Sequence, residues 1–248
     1  AQTCIQTISN FPYEQHFDSL ALCSSQTCNL NGIGWNNASN DDVDFLVHEM
    51  ATTDVYSGPI GDYSWNENGK YLYVEASNNI GKNSVLYTPC FVLDSYRTLY
   101  LEFAYHMIGR HQGNLKLEIL DHGKWKQLFS QVGETELKNW NTQVIDLSPF
   151  LGDTVQFRFL ANIGIDDNTD MAIDAFQITY DHCNSGILDW LITSDNQLEF
   201  KLSWSSLLDI PALIEYGPTG FAPGTGTVIH DTNHFELKFP QLAAYDIY

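Results

Sequence analysis

Leu99-Tyr100-Leu101-Glu102-Phe103-Ala104-Tyr105-His106-Met107 is the stretch whose reading decides the fold. Leu99, Leu101, Phe103, Tyr105 and Met107 fall on one face and Glu102 and His106 on the other, the two-residue period of a half-buried strand. Outward from it, Gly109 and Gly113 bracket a loop, and Leu115, Leu117 and Ile119 alternate with Lys116 and Glu118. The Asp121-His122-Gly123 turn leads into Trp125 through Phe129, which predicts a hairpin. Further strands are expected at Trp140 to Leu147, Thr154 to Leu160 and Met171 to Thr179. On the N-terminal side, Lys70 to Ser77 alternates cleanly. Val85-Leu86-Tyr87-Thr88-Pro89-Cys90 is expected to end a strand at Pro89, because proline cannot donate to the ladder. Helical periodicity is nearly absent; its best candidate, Ser205 to Ile210, is short and runs into Pro211. The expectation is an all-β, antiparallel core.

A chain of 248 residues is long enough for one large or two modest domains, each with a real core. Its 11 basic residues against 31 acidic ones, net charge −20, cannot build a phosphate-tracking stripe, which argues against nucleic acid and against anionic membrane surfaces. No apolar run approaches the roughly 18–20 residues of a membrane span, so membrane insertion is not expected. The balance suits a soluble exported protein able to hold cations on clustered carboxylates.

The five cysteines, Cys4, Cys23, Cys28, Cys90 and Cys183, show none of the paired spacings of a zinc site. In a lysine-poor β chain they read as disulfide material and imply an oxidising compartment. At least two of the first four are expected to be bridged. Cys23 and Cys28 are close enough to clip one loop, and Cys183 is left as the odd thiol. The start of the chain has neither a basic n-region nor an apolar h-region, as expected if a signal peptide has been removed.

The segment from Cys23 to Asp44 is turn-rich and polar, with Trp35 as its large anchor. Its acidic run Asp41, Asp42, Asp44 reads as a solvated loop. After Tyr180 the pattern resets. Asp181 to Gly186 reads as a linker, and strands are expected at Gln197 to Trp204, Ala212 to Tyr216, Thr227 to His230, Phe235 to Phe239 and Tyr245 to Tyr248. Two domains are therefore expected, 1–182 and 183–248.

Several of these residues together carry a resemblance. Phe11-Pro12-Tyr13 with Phe17-Asp18, the Tyr71 to Ser77 strand, Thr88-Pro89, the Phe103-Ala104-Tyr105-His106-Met107 strand with Gly109, Trp140, and Met171-Ala172-Ile173-Asp174 resemble a MAM domain. The likeness covers about 11 to 182 and is nearest to the MAM-like modules of exported bacterial proteins. It implies a jelly-roll-like β-sandwich used for adhesion or recognition and not for catalysis. The stretch from about 184 to 248 resembles a fibronectin type III domain, an immunoglobulin-like β-sandwich. The resemblance rests on Trp204, on the six-residue spacing of Phe239 and Tyr245, and on the Tyr216-Gly217-Pro218-Thr219-Gly220-Phe221 loop. Such a domain normally adds one more strand, so this one is expected to lack its last and to be part of a longer polypeptide. In bacterial relatives of that fold a cysteine at the domain start can pair with one near its end, which would account for Cys183.

Catalytic patterns are missing from the sequence. The eight histidines form no H-E-x-x-H set, and there is no nucleophile elbow, phosphate loop or dinucleotide fingerprint. Paired carboxylates for glycoside hydrolysis are a spatial matter that spacing does not settle. One residue does demand chemistry. Asp174 shares its strand with apolar neighbours and reads as lying on a face with Ala172, Phe176 and Ile178. A carboxylate pushed toward a core is costly unless it is partnered. With basic residues scarce, a Ca²⁺ ion on oxygen ligands is the expected answer, with Asp18, Asp62 and Glu75 as candidate co-ligands. Cation sites of this kind in MAM domains agree with that expectation. Backbone N–H groups capping Asp174 are the alternative. Tyr56, Tyr63 and Trp65 in one loop could stack on sugar rings or simply close the end of the sandwich. The expected function is a non-catalytic adhesion or recognition module of a secreted or cell-surface protein, binding a cell-surface protein or glycan. The alternative is an accessory region of an exported protease or glycoside hydrolase whose catalytic domain lies outside this chain.

Overall fold

The computed structural model describes residues 4–23, 27–52, 57–64, 68–94, 97–135 and 139–180, together with the backbone of five short strands beyond residue 189. The chain divides into two compact units, Ala1–His182 and Cys183–Tyr248.

Among its described residues the first unit has twelve strands: β1 (Thr7–Ile8), β2 (Tyr13–Gln15), β3 (Asn36–Asn37), β4 (Leu46–Glu49), β5 (Lys70–Val74), β6 (Asn83–Val92), β7 (Leu99–Met107), β8 (Asn114–Asp121), β9 (Lys124–Val132), β10 (Asn141–Asp146), β11 (Thr154–Asn162) and β12 (Met171–Tyr180). Helix among the described residues is limited to two three-residue 3₁₀ turns, Asn31–Ile33 and Ser148–Phe150. One sheet runs β1-β6-β11-β8-β9 with β3 also on β6, and the other runs β10-β7-β12-β5-β4 with β2 on β12. From β5 onward successive strands mostly change sheets, which is the crossing pattern of a jelly-roll-like sandwich. Apart from the parallel β1–β6 pair, the pairings are antiparallel. The fold class expected from the sequence is the one observed.

The β7 face holding Leu99, Leu101, Phe103, Tyr105 and Met107 packs onto the inward residues of β8 and β11. Trp35 is wholly buried among them, edge-on to Phe17 and Phe176 at 5.3 and 5.1 Å and stacked on Phe159. Its indole N–H donates to the Tyr13 hydroxyl at 2.9 Å, so the one polar atom of the side chain is satisfied. Two disulfides, Cys4–Cys90 and Cys23–Cys28, tie the N-terminal segment to β6 and close the short loop. Cys183 lies outside the described residues.

Three local expectations change. Pro89 does not end its strand; β6 continues to Val92. The ladder with β11 shifts register beside Pro89, and the Thr88 hydroxyl takes the Phe157 N–H at 3.1 Å, so a bulge absorbs the missing donor. The acidic run is not merely solvated. Asp41 accepts from the Val85 N–H, Asp42 from the Asn83 N–H and Asp44 from the Cys28 N–H, so it sews the loop onto β6 and the small disulfide.

The third change concerns Asp174. A register shift lies between Asp174 and Gln177, and Ala175 takes a left-handed φ of 47°. The extra residue moves Phe176 and Ile178 to the sandwich core with Met171 and Ile173, and leaves Ala172 on the outer side with Ala175. Asp174 therefore does not share a face with Phe176 and Ile178.

In the second unit, Trp190–Leu191 pairs with Lys201–Leu202, and Ala212–Pro218 lies between Thr227–Asp231 and Tyr245–Ile247, all antiparallel. The linker from Asp181 to Gly186 and the strand expected at Phe235 to Phe239 lie outside the described residues.

Candidate functional site

The outer face of the β7 sheet should be its wet side, yet Tyr71, Ala104, His106, Trp140, Ala172 and Asp174 are each at least nine-tenths buried there. A segment crossing above them makes the cover. The Trp140 indole N–H donates to the Gly61 carbonyl at 3.0 Å, and the Tyr71 hydroxyl donates to the Met50 carbonyl at 2.8 Å. Trp140 stands edge-on to Tyr63, Tyr71 and His106, with ring centroids 5.6 to 6.3 Å apart.

Asp174 fastens this cover. One of its oxygens accepts the Tyr63 N–H at 3.0 Å and the other the Ala175 N–H at 2.7 Å. Burial pushes its pKa up to about 7 against the lowering effect of those two bonds, and the carboxylates of Asp62 and Asp18 add to the rise. Asp62 is 2% exposed. Its Oδ2 accepts from the Ser64 N–H and hydroxyl, while Oδ1 is buried without a hydrogen-bond partner. The chain passes so close here that a Cβ on Gly69 would lie 2.2 Å from the Asp62 carboxylate. Asp18 is exposed, accepting the Lys70 N–H on Oδ1, with the Lys70 ammonium on its carbonyl at 2.9 Å. His106 is held neutral, burial lowering its pKa to about 4, and its Nδ1 has no hydrogen-bond partner.

Asp18, Asp62 and Asp174 are thus brought into one electrostatic neighbourhood from three distant parts of the chain. Glu75 is not. The Leu72–Ile173 register sets Tyr71 beside Asp174 and leaves Glu75 four positions along the strand, about 13 Å away. Glu75 instead accepts the Ser77 N–H at 2.8 Å. Tyr63 is about one-third exposed and packs against Trp140, whereas Tyr56 and Trp65 lie outside the described residues. The fit to a hard cation rests on the buried, unpartnered Asp62 oxygen beside a second buried carboxyl. Against it, the three side chains do not form a closed ligand set. Among the described residues the set whose ligand atoms all lie within 4.8 Å is Asp121, His122 and Asp153, and there Lys126 already bonds to Asp121.

The sequence reading set His106 on the outer side of β7 but missed that it is buried there, and it missed Trp140 as part of this face. It also missed the opposite outer face, where Tyr87 on β6 and Trp125 on β9 stand 6.0 Å apart. The signal for that second pair was available: both are large aromatics at outward positions of their strands.

Two covered or decorated sheets packed face to face define a β-sandwich module. Residues 16–184 match the model of the MAM domain, meprin/A5/mu, which is more than half of the chain; the chain belongs to the MAM domain family. Among solved structures, the chain is similar to the K1 cleaved adhesin domain of Lys-gingipain from Porphyromonas gingivalis W83. That match has 11% identity, 69% of this chain and 99% of that one covered, and a TM-score of 0.44. A β-1,4-galactotriose complex of TmCBM61 matches at 10% identity, covering 59% and 88%, with a TM-score of 0.40. A cyclase from Fischerella sp. TAU matches at 14% identity, covering 67% and 93%, with a TM-score of 0.45. No helix among the described residues is long and apolar enough to cross a membrane.

Proposed function

We propose that this chain is a non-catalytic recognition module of a secreted or cell-surface multidomain protein, taking a protein or glycan ligand. In this reading the second unit is a fibronectin type III-like sandwich that spaces the first from its neighbours. The observation that carries the reading is the sealing of the acid–base groups. Asp62, His106 and Asp174 are nine-tenths buried or more, and the two carboxylates accept backbone N–H groups of the covering loop, so no substrate atom can reach them. A general acid or base must come within hydrogen-bond reach of the proton it moves. Membership of the MAM family and two disulfides, which suit an oxidising compartment, support the same reading.

Calcium belongs to this proposal as a structural ion. Asp62 and Asp174 would hold it, with Asp18 at the edge, and its charge would relieve the crowding of carboxylates. The ion supplies no chemistry beyond charge neutralisation and the locking of the loop to β12.

The test is saturable binding of the labelled full chain to intact cell surfaces, alongside turnover assays on peptide, ester and glycoside substrates. The expected result is binding without turnover; turnover by the isolated chain would overturn the reading.

A further inference from the structure

We infer that the first unit binds a neutral pyranose oligosaccharide in a groove on the outer face of the β6–β11–β8–β9 sheet. This rests on the recognition-module reading and supplies its ligand class and place. The groove is an open depression of about 740 Å³ between the outward side chains of β6, β8, β9 and β11 and the polar loop around β3. That volume lies within the roughly 300–1,000 Å³ of small-molecule sites.

Its floor is aromatic. Tyr87 and Trp125, both half-buried, stand with ring centroids 6.0 Å apart and planes 46° apart. The Arg158 guanidinium lies 4.1 Å from the Trp125 centroid and fixes the ring. Arg158 is itself bound through two nitrogens to Glu118 at 2.8 and 2.6 Å. The charges of Arg158 and Glu118 therefore cancel, and no described lining residue is charged. In a chain of net charge −20 such a surface does not attract an anion, and its lining offers no charged group to hold a cation. An aromatic body with a polar rim suits a ligand with an apolar C–H face and many hydroxyls.

The rim supplies the hydroxyl partners. Side-chain amides offer a donor and an acceptor side by side. The side chains of Asn31 and Asn40 form no hydrogen bond to other described residues, and the Tyr87 hydroxyl and Trp125 indole N–H likewise remain available. Asn37 has a different job. Its amide bonds to the Cys28 and Phe45 carbonyls and accepts the Phe45 N–H, which sets the loop in place.

Both disulfides brace this rim. Cys4 immediately precedes the lining residue Ile5, and Cys28, bridged to Cys23, lies three residues before the lining residue Asn31. A rim held in one shape loses little freedom on binding, which is how preorganisation raises affinity.

The experiment is a screen of the labelled full chain on immobilised cello-, xylo-, manno- and galacto-oligosaccharides, with sulfated and sialylated glycans beside them. Calorimetric titration of any retained oligosaccharide and binding to intact cells before and after glycosidase treatment follow. The expected result is retention on a neutral oligosaccharide. Trp125→Ala should weaken it at least tenfold and Asn31→Ala several-fold, while Tyr63→Ala in the loop over the opposite sheet leaves it unchanged. Asn31 is exposed, so its variant tests the groove even if Trp125→Ala fails to fold. Retention on anionic glycans alone, no retention at millimolar oligosaccharide, or retention unaffected by Trp125→Ala and Asn31→Ala would overturn the groove. Cell binding that survives glycosidase and these variants would overturn the groove and leave the recognition reading standing. No saturable binding to any surface would overturn both.

Discussion

The two outer faces of the sandwich begin from the same alternation of inward apolar and outward mixed residues, and end in opposite states. On the β7 sheet a loop folds over the face and buries Trp140, His106 and Asp174, and the polar groups of Trp140 and Asp174 then hold the cover. On the β11 sheet no such cover forms among the described residues. Trp125 stays half-exposed, and Arg158, paired with Glu118, lies over one face of its ring. The difference shows where buried polarity comes from in this fold. A face closed by a loop needs carboxylates to hold backbone N–H groups, whereas an open face can leave its amides and indole to a ligand.

The sharpest way to break the comparison is to truncate one tryptophan on each face. Trp140→Ala removes a ring that is 9% exposed and packed against three others, and should cost about 4 kcal/mol of unfolding free energy. Trp125→Ala should cost roughly 1 kcal/mol, within the ordinary range of point mutants. Denaturant unfolding of the first unit checks both. Equal losses would mean that the two faces are equally closed.

Gly69→Ala comes next. Its methyl group would collide with the Asp62 carboxylate at 2.2 Å, and relieving that should cost about 2 kcal/mol and loosen the cover over β12. Amide exchange at Tyr63 should accelerate with it; an unchanged Tyr63 amide would show that the cover does not depend on Asp62.

The pH dependence separates the two buried titrating groups. Asp174 has its pKa raised from 3.8 to about 7, so the folded state holds that proton longer than the unfolded chain. Its contribution therefore falls as pH rises from 3.8 to about 7 and is constant above. His106 is lowered from 6.5 to about 4, so its contribution rises with pH across that window. The two slopes oppose each other between about 4 and 6.5. Asp174→Asn should leave a rising slope, and His106→Gln a falling one. Calcium should flatten the Asp174 contribution, because a cation favours the ionised form. At a hundredfold excess over Kd it should add about 2.7 kcal/mol that chelation and Asp174→Asn both remove. A melting curve indifferent to chelator would leave Asp174 as a backbone cap alone.

The smallest effect is expected from Arg158→Lys. The pair with Glu118 survives in charge but loses its fork, which should cost under about 1 kcal/mol. The indole ring of Trp125 should become more mobile, visible as a narrower side-chain resonance. A rigid Trp125 in this variant would mean that Arg158 does not hold the platform.

Much of the architecture was legible because strict alternation specifies a strand and its buried face. The Leu99–Met107 strand, the hairpin at His122-Gly123 and the β12 strand follow that rule. The rule fails where one residue is inserted. Nothing in Asp174-Ala175-Phe176 announces a bulge, and Ala175 adopts a backbone conformation that glycine would normally mark. Asp174 was singled out correctly as buried, but through the wrong neighbours. Asp62 and Asp18 reach it by long-range closure, which no local pattern encodes, and Glu75 misses it because strand register is a property of the pair. The open groove was harder still to read. Its members come from β6, β8, β9, β11 and the loop around β3, and apart from the outward aromatics Tyr87 and Trp125 none stands out in the sequence.

The most direct measurement compares the indole N–H resonances of Trp125 and Trp140 as a retained neutral oligosaccharide is titrated into the full chain. The N–H of Trp125, a residue that lines the groove, should shift in step with saturation, while the Trp140 N–H, bonded to the Gly61 carbonyl, should hold still. A shift at Trp140 with Trp125 unmoved would contradict the assignment of one closed and one receptive face.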